Sequence, residues 1–166
     1  MRILLLGGRS ACKSFHHHNP STTSPQWESH ADNPHSKGAF LFSQTFLPSL
    51  LAAVPSSSHP PTLIFTGATA SVKANALMSG FASSKHALRA LSTSIAKEFA
   101  PQGIHVAHAV IDGVIDIPRT SEWLKDQPPE AKIGASDIAE TYWMLHLQGK
   151  RCFTNEIDIR PMLEKW

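Results

Sequence analysis

Tyrosine is almost missing from this chain: Tyr142 is the only one among 166 residues. Any chemistry that needs a phenol as proton donor has that single candidate. Its neighbours at helical spacing, Ile138 and Leu145, put it on an apolar face, where a core role is expected. Cysteine is nearly as scarce. Cys12 and Cys152 stand far apart with no further pair, which excludes a disulfide framework and a thiolate metal cluster and fits a reducing, cytoplasmic compartment. Charge is thin as well, 17% of the chain with a net +2 and no block of one sign. A nucleic-acid partner is therefore not expected. The early apolar run Ile3–Leu6 is too short for a signal-peptide core, and no membrane-spanning segment or membrane partner is expected after it. Glycine, nine residues in all, never gathers into a Gly-x-x-x-Gly-x-Gly pattern.

What is present divides at about residue 38. Arg2-Ile-Leu-Leu-Leu-Gly-Gly8 reads as a short buried strand closed by glycines. Arg9 to Lys37 is rich in Ser, Thr, Pro, Asn and His and has no apolar period, so residues 1–37 are expected to be partly disordered. His16-His17-His18 lacks the fixed ligand spacing of a metal site and reads as a solvated polar tract; no metal is expected.

From Gly38 to Trp166 the pattern is regular. Ala39–Ala53 carries Phe42, Phe46, Leu50 and Ala53 at helical spacing despite Pro48. Pro55-Ser-Ser-Ser-His-Pro-Pro61 is a loop, and Leu63-Ile-Phe65 a buried strand. Gly80–Ala100 reads as a long helix with Phe81, Leu88, Leu91, Ile95 and Phe99 on one side, ended by Pro101 and Gly103. Ile104–Ile111 is a strand nearly apolar on both faces, as in a parallel sheet covered by helices. Ser136 is expected to cap a helix that has Asp137 and Glu140 early and stops at Gly149. Phe153–Ile159 is the last strand, ended by Pro161. Strands alternating with helices predict an α/β fold with a partial, Rossmann-like parallel sheet and helices on both faces.

The order of four segments carries a family resemblance. Lys37-Gly-Ala-Phe-Leu-Phe-Ser-Gln44, then Thr66-Gly-Ala-Thr-Ala-Ser71, then Phe81-Ala-Ser-Ser-Lys85, then Gly103-Ile-His-Val-Ala-His-Ala-Val-Ile-Asp-Gly113 resembles the middle of a short-chain dehydrogenase/reductase. Ser136-Asp-Ile-Ala-Glu140 and Glu156-Ile-Asp-Ile-Arg-Pro161 are similar to its last helix and strand. No single motif decides it; their order and spacing do. The resemblance implies an oxidoreductase using NAD or NADP on a small-molecule carbonyl or alcohol, with a possible homo-oligomer. Which nucleotide is used stays open, because the selecting residue follows a second strand that has no counterpart here.

The resemblance also assigns residues. Lys85 matches the lysine that grips the nicotinamide ribose, and Phe81 stands where the Tyr-x-x-x-Lys segment has its catalytic tyrosine. Residues four apart share a helix face, so Phe81 projects beside Lys85 without a hydroxyl. Ala68 occupies the serine position, with Thr69 and Ser71 the nearest hydroxyls. His35, near Asn33, falls at the asparagine position. Gly113 and Ile115 correspond to the turn that meets the nicotinamide carboxamide, with Asp112 in place of its usual proline. Gly7-Gly8 fits the fourth-strand glycine better than the pyrophosphate loop. The first three strands are then expected to be absent, and the chain to be the carboxyl-terminal half of a truncated, impaired enzyme. The alternative is a non-catalytic remnant that associates with full-length relatives through the Gly80–Ala100 helix.

Overall fold

A computed structural model describes residues 3–6 and 34–165. Four strands, β1 (Ile3–Leu6), β2 (Thr62–Thr66), β3 (His105–Ile111) and β6 (Glu156–Ile159), form one parallel sheet in the order β1-β2-β3-β6. Parallel neighbours need long crossovers, and the helices supply them. α1 (Pro34–Ala53) joins β1 to β2, α2 (Ser79–Phe99) joins β2 to β3, and α3 (Ala135–His146) lies between β3 and β6. A second ribbon pairs β4 (Ile115–Asp116) in parallel with β5 (Ile133–Gly134). The expected parallel pairing of β1, β2, β3 and β6 is what the sheet shows.

The pleat sorts the strand residues to two faces. Leu63, Phe65 and Val106 pack with Leu88, Ile95 and Ala96 of α2 and with Ala39, Leu47 and Leu50 of α1. Ile64, Ala107, Ala109 and Ile111 pack on the other face with Tyr142 and Leu145 of α3. All seven residues of β3 are buried, which a strand covered on both sides requires. Tyr142 is a core residue, as expected, and its hydroxyl sits 2.9 Å from Thr66 Oγ1.

Several boundaries differ from the sequence expectation. α1 begins at Pro34, not at Ala39, because proline suits the first helical turn, where no N–H is needed. The polar segment assigned to residues 1–37 thus yields its last four positions to the helix; Gly7-Gly8, the histidine tract and Asn33 lie outside the described residues. The buried stripe of α1 runs through Ala39, Ser43, Leu47 and Leu50, whereas Phe46 is exposed. By length and mean hydropathy Ser36–Ser56 is also apolar enough to cross a membrane, against expectation; its buried stripe packs on the sheet instead. α3 is capped by Gly134, two residues before the expected cap Ser136, and ends at His146. Gly103 closes the turn after α2 at φ 91°, a left-handed conformation for which glycine is the default residue.

At the amino-terminal edge of the sheet, fully buried His105 stacks on Phe153 with ring centroids 4.5 Å apart. Its Nδ1 and Nε2 lie 3.0 Å from the carbonyl oxygens of Leu145 and Thr154. A neutral ring can donate to only one of them. Burial outweighs both carbonyls and lowers the His105 pKa.

The two faces set a contrast that denaturant unfolding can check. Phe65 is fully buried and Phe40 is 53% exposed. Phe65→Ala should cost about 3–5 kcal/mol, and Phe40→Ser should stay within about 0.5 kcal/mol. Equal losses would mean that the core is not where the sheet places it.

Candidate active site

The carboxyl ends of β2, β3 and β6 lie side by side, which is where open parallel sheets hold ligands. α2 carries Phe81 and Lys85 on adjacent turns of one face toward this edge. Lys85 is only 7% exposed. Its Nζ donates to the Thr66 carbonyl oxygen over 3.0 Å and stands 5.8 Å from the centre of the Phe81 ring. Burial lowers the Lys85 pKa, since desolvation disfavours the charged amine. The ammonium has two further protons and can offer them to a ligand.

After β2 the chain turns at Gly67 into a 3₁₀ turn, Thr69–Ser71. Ser71 is fully buried, and its Oγ accepts the Ala68 N–H over 3.1 Å. It holds the turn. Thr69 is part-buried and donates its hydroxyl to Asp112 Oδ1. Asp112 Oδ2 in turn pairs with Arg160 Nη1 at 2.9 Å, and Arg160 also grips Asp158 through Nε at 2.6 Å. Asp112, in place of the proline, thereby ties the turn after β2 to the end of β6. Gly113 follows at φ 152°, and a Cβ there would lie 2.7 Å from Pro161 Cδ. The backbone at this corner is pinned between two segments. Ile115 enters the small ribbon, where the residue before it, Val114, accepts the Ile133 N–H over 2.8 Å, and its side chain packs on the α3 face.

The structure therefore sets Lys85 beside Phe81, and Thr69 against Asp112, the neighbour of Gly113. Ser71 and the Ile115 side chain are engaged in packing and turn formation. His35 lies in the first turn of α1. Sequence reasoning missed a second polar group. His108, in the middle of β3, directs Nδ1 to Glu156 Oε2 at 3.1 Å, and Arg89 grips the same carboxylate through Nε at 2.6 Å and Nη2 at 2.7 Å. A histidine inside an otherwise apolar strand, and an arginine four residues after Lys85, were the signals available.

Burial lowers the His108 pKa; Glu156 opposes that effect, and the charges of Arg89 and Lys85 reinforce it. The Arg89 hydrogen bonds hold the Glu156 carboxyl below its usual range. Burial thus disfavours the protonated, charged form of His105 and His108 in the fold, while in the unfolded chain they protonate near 6.5. Below that value the unfolded state binds protons that the folded state refuses, so stability is lost as pH falls through it. Denaturant midpoints should therefore drop between about pH 7.5 and about pH 5.5. A midpoint that held constant or rose would contradict the neutral assignment.

The short chain dehydrogenase profile matches residues 16–128, more than half of the chain. Among solved structures, a short-chain dehydrogenase from Rhodopseudomonas palustris is 32% identical, with a TM-score of 0.56 over 75% of this chain and 47% of that one. An alcohol dehydrogenase from the archaeon Thermococcus sibiricus, complexed with 5-hydroxy-NADP, is 17% identical, with a TM-score of 0.70 over 99% of this chain and 64% of that one. An NADPH-bound short chain oxidoreductase from Pseudomonas aeruginosa PAO1, described as containing an atypical catalytic center, is 17% identical, with a TM-score of 0.67 over 99% and 66%. No curated protein matches the chain. The chain spans about half to two thirds of the length of these solved chains. The parallel sheet, the Phe81–Lys85 helix and the profile match agree: the chain belongs to the short-chain dehydrogenase/reductase family.

Proposed function

We propose that the chain carries the nicotinamide end of an NAD- or NADP-dependent oxidoreductase site for a small carbonyl or alcohol, with Lys85 as its acid–base group. The observation that carries this reading is the buried Lys85 ammonium, held by the Thr66 carbonyl beside a phenyl ring that has no proton to give. A nicotinamide bound there would donate or accept the hydride. Lys85 would hold its ribose, and the pinned backbone at Gly113 and Ile115 would meet its carboxamide. Thr69 is the hydroxyl best placed to touch substrate, since Ser71 is enclosed.

The pyrophosphate end fits less well. Phosphates bind where glycines open a helix amino terminus. Among the described residues, α3 opens on Gly134, where the Asp137 carboxylate would repel a phosphate, and α2 has a lone glycine, Gly80, in its first turn. Weak nucleotide binding follows, and the missing phenol should lower the rate by roughly 10²–10⁴.

A second reading is association with a full-length relative through the Gly80–Ala100 helix in place of catalysis; α2 exposes no large apolar side chain for it, whereas α1 exposes Phe40 and Leu41. The two readings separate in one experiment, saturation-transfer NMR with NADH and NADPH. We expect contact at the nicotinamide ribose with an affinity of about 1 mM, lost in Lys85→Met. Phe81→Tyr should leave that contact in place. No ribose contact in the wild type, or contact indifferent to Lys85→Met, would remove the oxidoreductase reading.

A further inference from the structure

The amino-terminal edge of the sheet, opposite the Lys85 cleft, brings together two histidines that the proposed chemistry does not use. His146 is the last residue of α3, and His59 lies in the loop that leads into β2. His146 is buried and His59 half-buried. Their ring centres stand 5.8 Å apart. Trp143, one turn earlier on α3, lies against His146 with its ring centre at 5.4 Å.

Two hydrogen bonds fix which nitrogen of His146 is bare. Thr62 Oγ1 lies 2.9 Å from the Pro60 carbonyl oxygen and 3.0 Å from His146 Nδ1. A carbonyl only accepts, so the single hydroxyl proton goes to Pro60. Nδ1 then donates to the hydroxyl oxygen. The ring's lone pair falls on Nε2, which no described group bonds. Burial lowers the His146 pKa, and the charges of His59 and His105 lower it further. Both effects favour the neutral ring, the form that ligates metals.

A metal-binding imidazole is commonly prepared in this way: its far N–H is tied down, which sets both tautomer and ring orientation. Imidazole nitrogens bind zinc-class ions at about 2.0–2.1 Å, so one ion shared by two rings puts their centres about 5–6 Å apart. The observed spacing lies in that range. His105 does not join them, because both of its nitrogens lie against carbonyl oxygens. Among the described residues no group of three or more ligating side chains forms. An ion held here has two protein ligands and keeps its other positions for water.

We infer that His59 and His146, with Thr62 behind them, form a two-imidazole site for a divalent transition-metal ion of the zinc, nickel or copper class. Imidazole suits these ions, whereas Mg²⁺ and Ca²⁺ prefer oxygen ligands. The bound ion ties the end of α3 to the loop before β2. The site is independent of the reading of Lys85 and of nucleotide binding.

Calorimetric titration of the full chain with Zn²⁺, Ni²⁺ and Mg²⁺ tests this. Every sample carries His16→Asn, His17→Asn and His18→Asn, so that the histidine tract does not compete. We expect one Zn²⁺ or Ni²⁺ per chain and no response to Mg²⁺. His59→Gln or His146→Gln should abolish binding, and Thr62→Val should weaken it by about 10–100-fold. Cys152→Ser should leave it unchanged. Nitrogen-15 NMR of the metal-free chain should show His146 as the Nδ1–H tautomer. No binding of Zn²⁺ or Ni²⁺, an equal response to Mg²⁺, binding indifferent to His59→Gln, binding lost in Cys152→Ser, or the Nε2–H tautomer overturns the inference. If His146→Gln or Thr62→Val does not fold, the tautomer and His59→Gln, a change in a half-buried loop residue, decide alone.

Discussion

The rest of the site depends on a buried positive charge. The Lys85 ammonium sits in a largely enclosed corner with one backbone carbonyl and one aromatic face as partners. Removing an ammonium from water costs several kcal/mol unless partners replace its hydration. A carbonyl at hydrogen-bond distance replaces one water. A phenyl face near 6 Å contributes about 0.5–1 kcal/mol more, at the limit of useful reach. The shortfall appears as the lowered Lys85 pKa. A lysine that releases its proton more readily is a better acid, and in its neutral form it is an available base.

Position matters as much as charge, and α2 is fastened twice. Lys85 bonds the end of β2, and one turn later Arg89 makes a two-pronged contact with Glu156 of β6. Arginine suits the second role because its planar fork matches a carboxylate. The Arg89–Glu156 pair is exposed and adds little to stability by itself. Its value is registry, since it fixes the rotation of α2 about its axis and with it the direction in which Lys85 points. The Thr69–Asp112–Arg160 string does similar service between the ends of β2, β3 and β6.

Much of this was legible in the sequence, for identifiable reasons. Leu63-Ile-Phe65 and, apart from His108, Val106–Ile111 are apolar on both faces, as expected of a covered parallel strand, and Phe81 and Lys85 are one helical turn apart. The ends of helices were harder to read, because Pro34 starts α1 on polar residues and Gly134, not Ser136, caps α3. His108 and Glu156 could not be paired by reading along the chain. They are directly opposed only because β3 and β6 align in parallel with that register, and no local pattern records a contact between residues 48 apart. Thr69 and Ser71 were both candidates in the sequence, with Thr69 the better one by proximity. The 3₁₀ turn separates them by enclosing one and leaving the other open to Asp112.

The substitution at Phe81 then looks less like a simple loss. A phenol next to Lys85 would hold the cleft's transferable proton itself, and the lysine would only tune it. On the proposed reading, a phenyl ring there leaves Lys85 as the group that carries the transferable proton. Two neighbouring cations in a low-dielectric corner would be strongly unfavourable. The nearby His108 imidazole, whose pKa is lowered by burial and further by the charges of Arg89 and Lys85, fits that constraint. The glycine at position 67 is what lets the ring approach, and its neighbour Thr66 holds the lysine. One tight turn after β2 thus positions both the imidazole and the lysine.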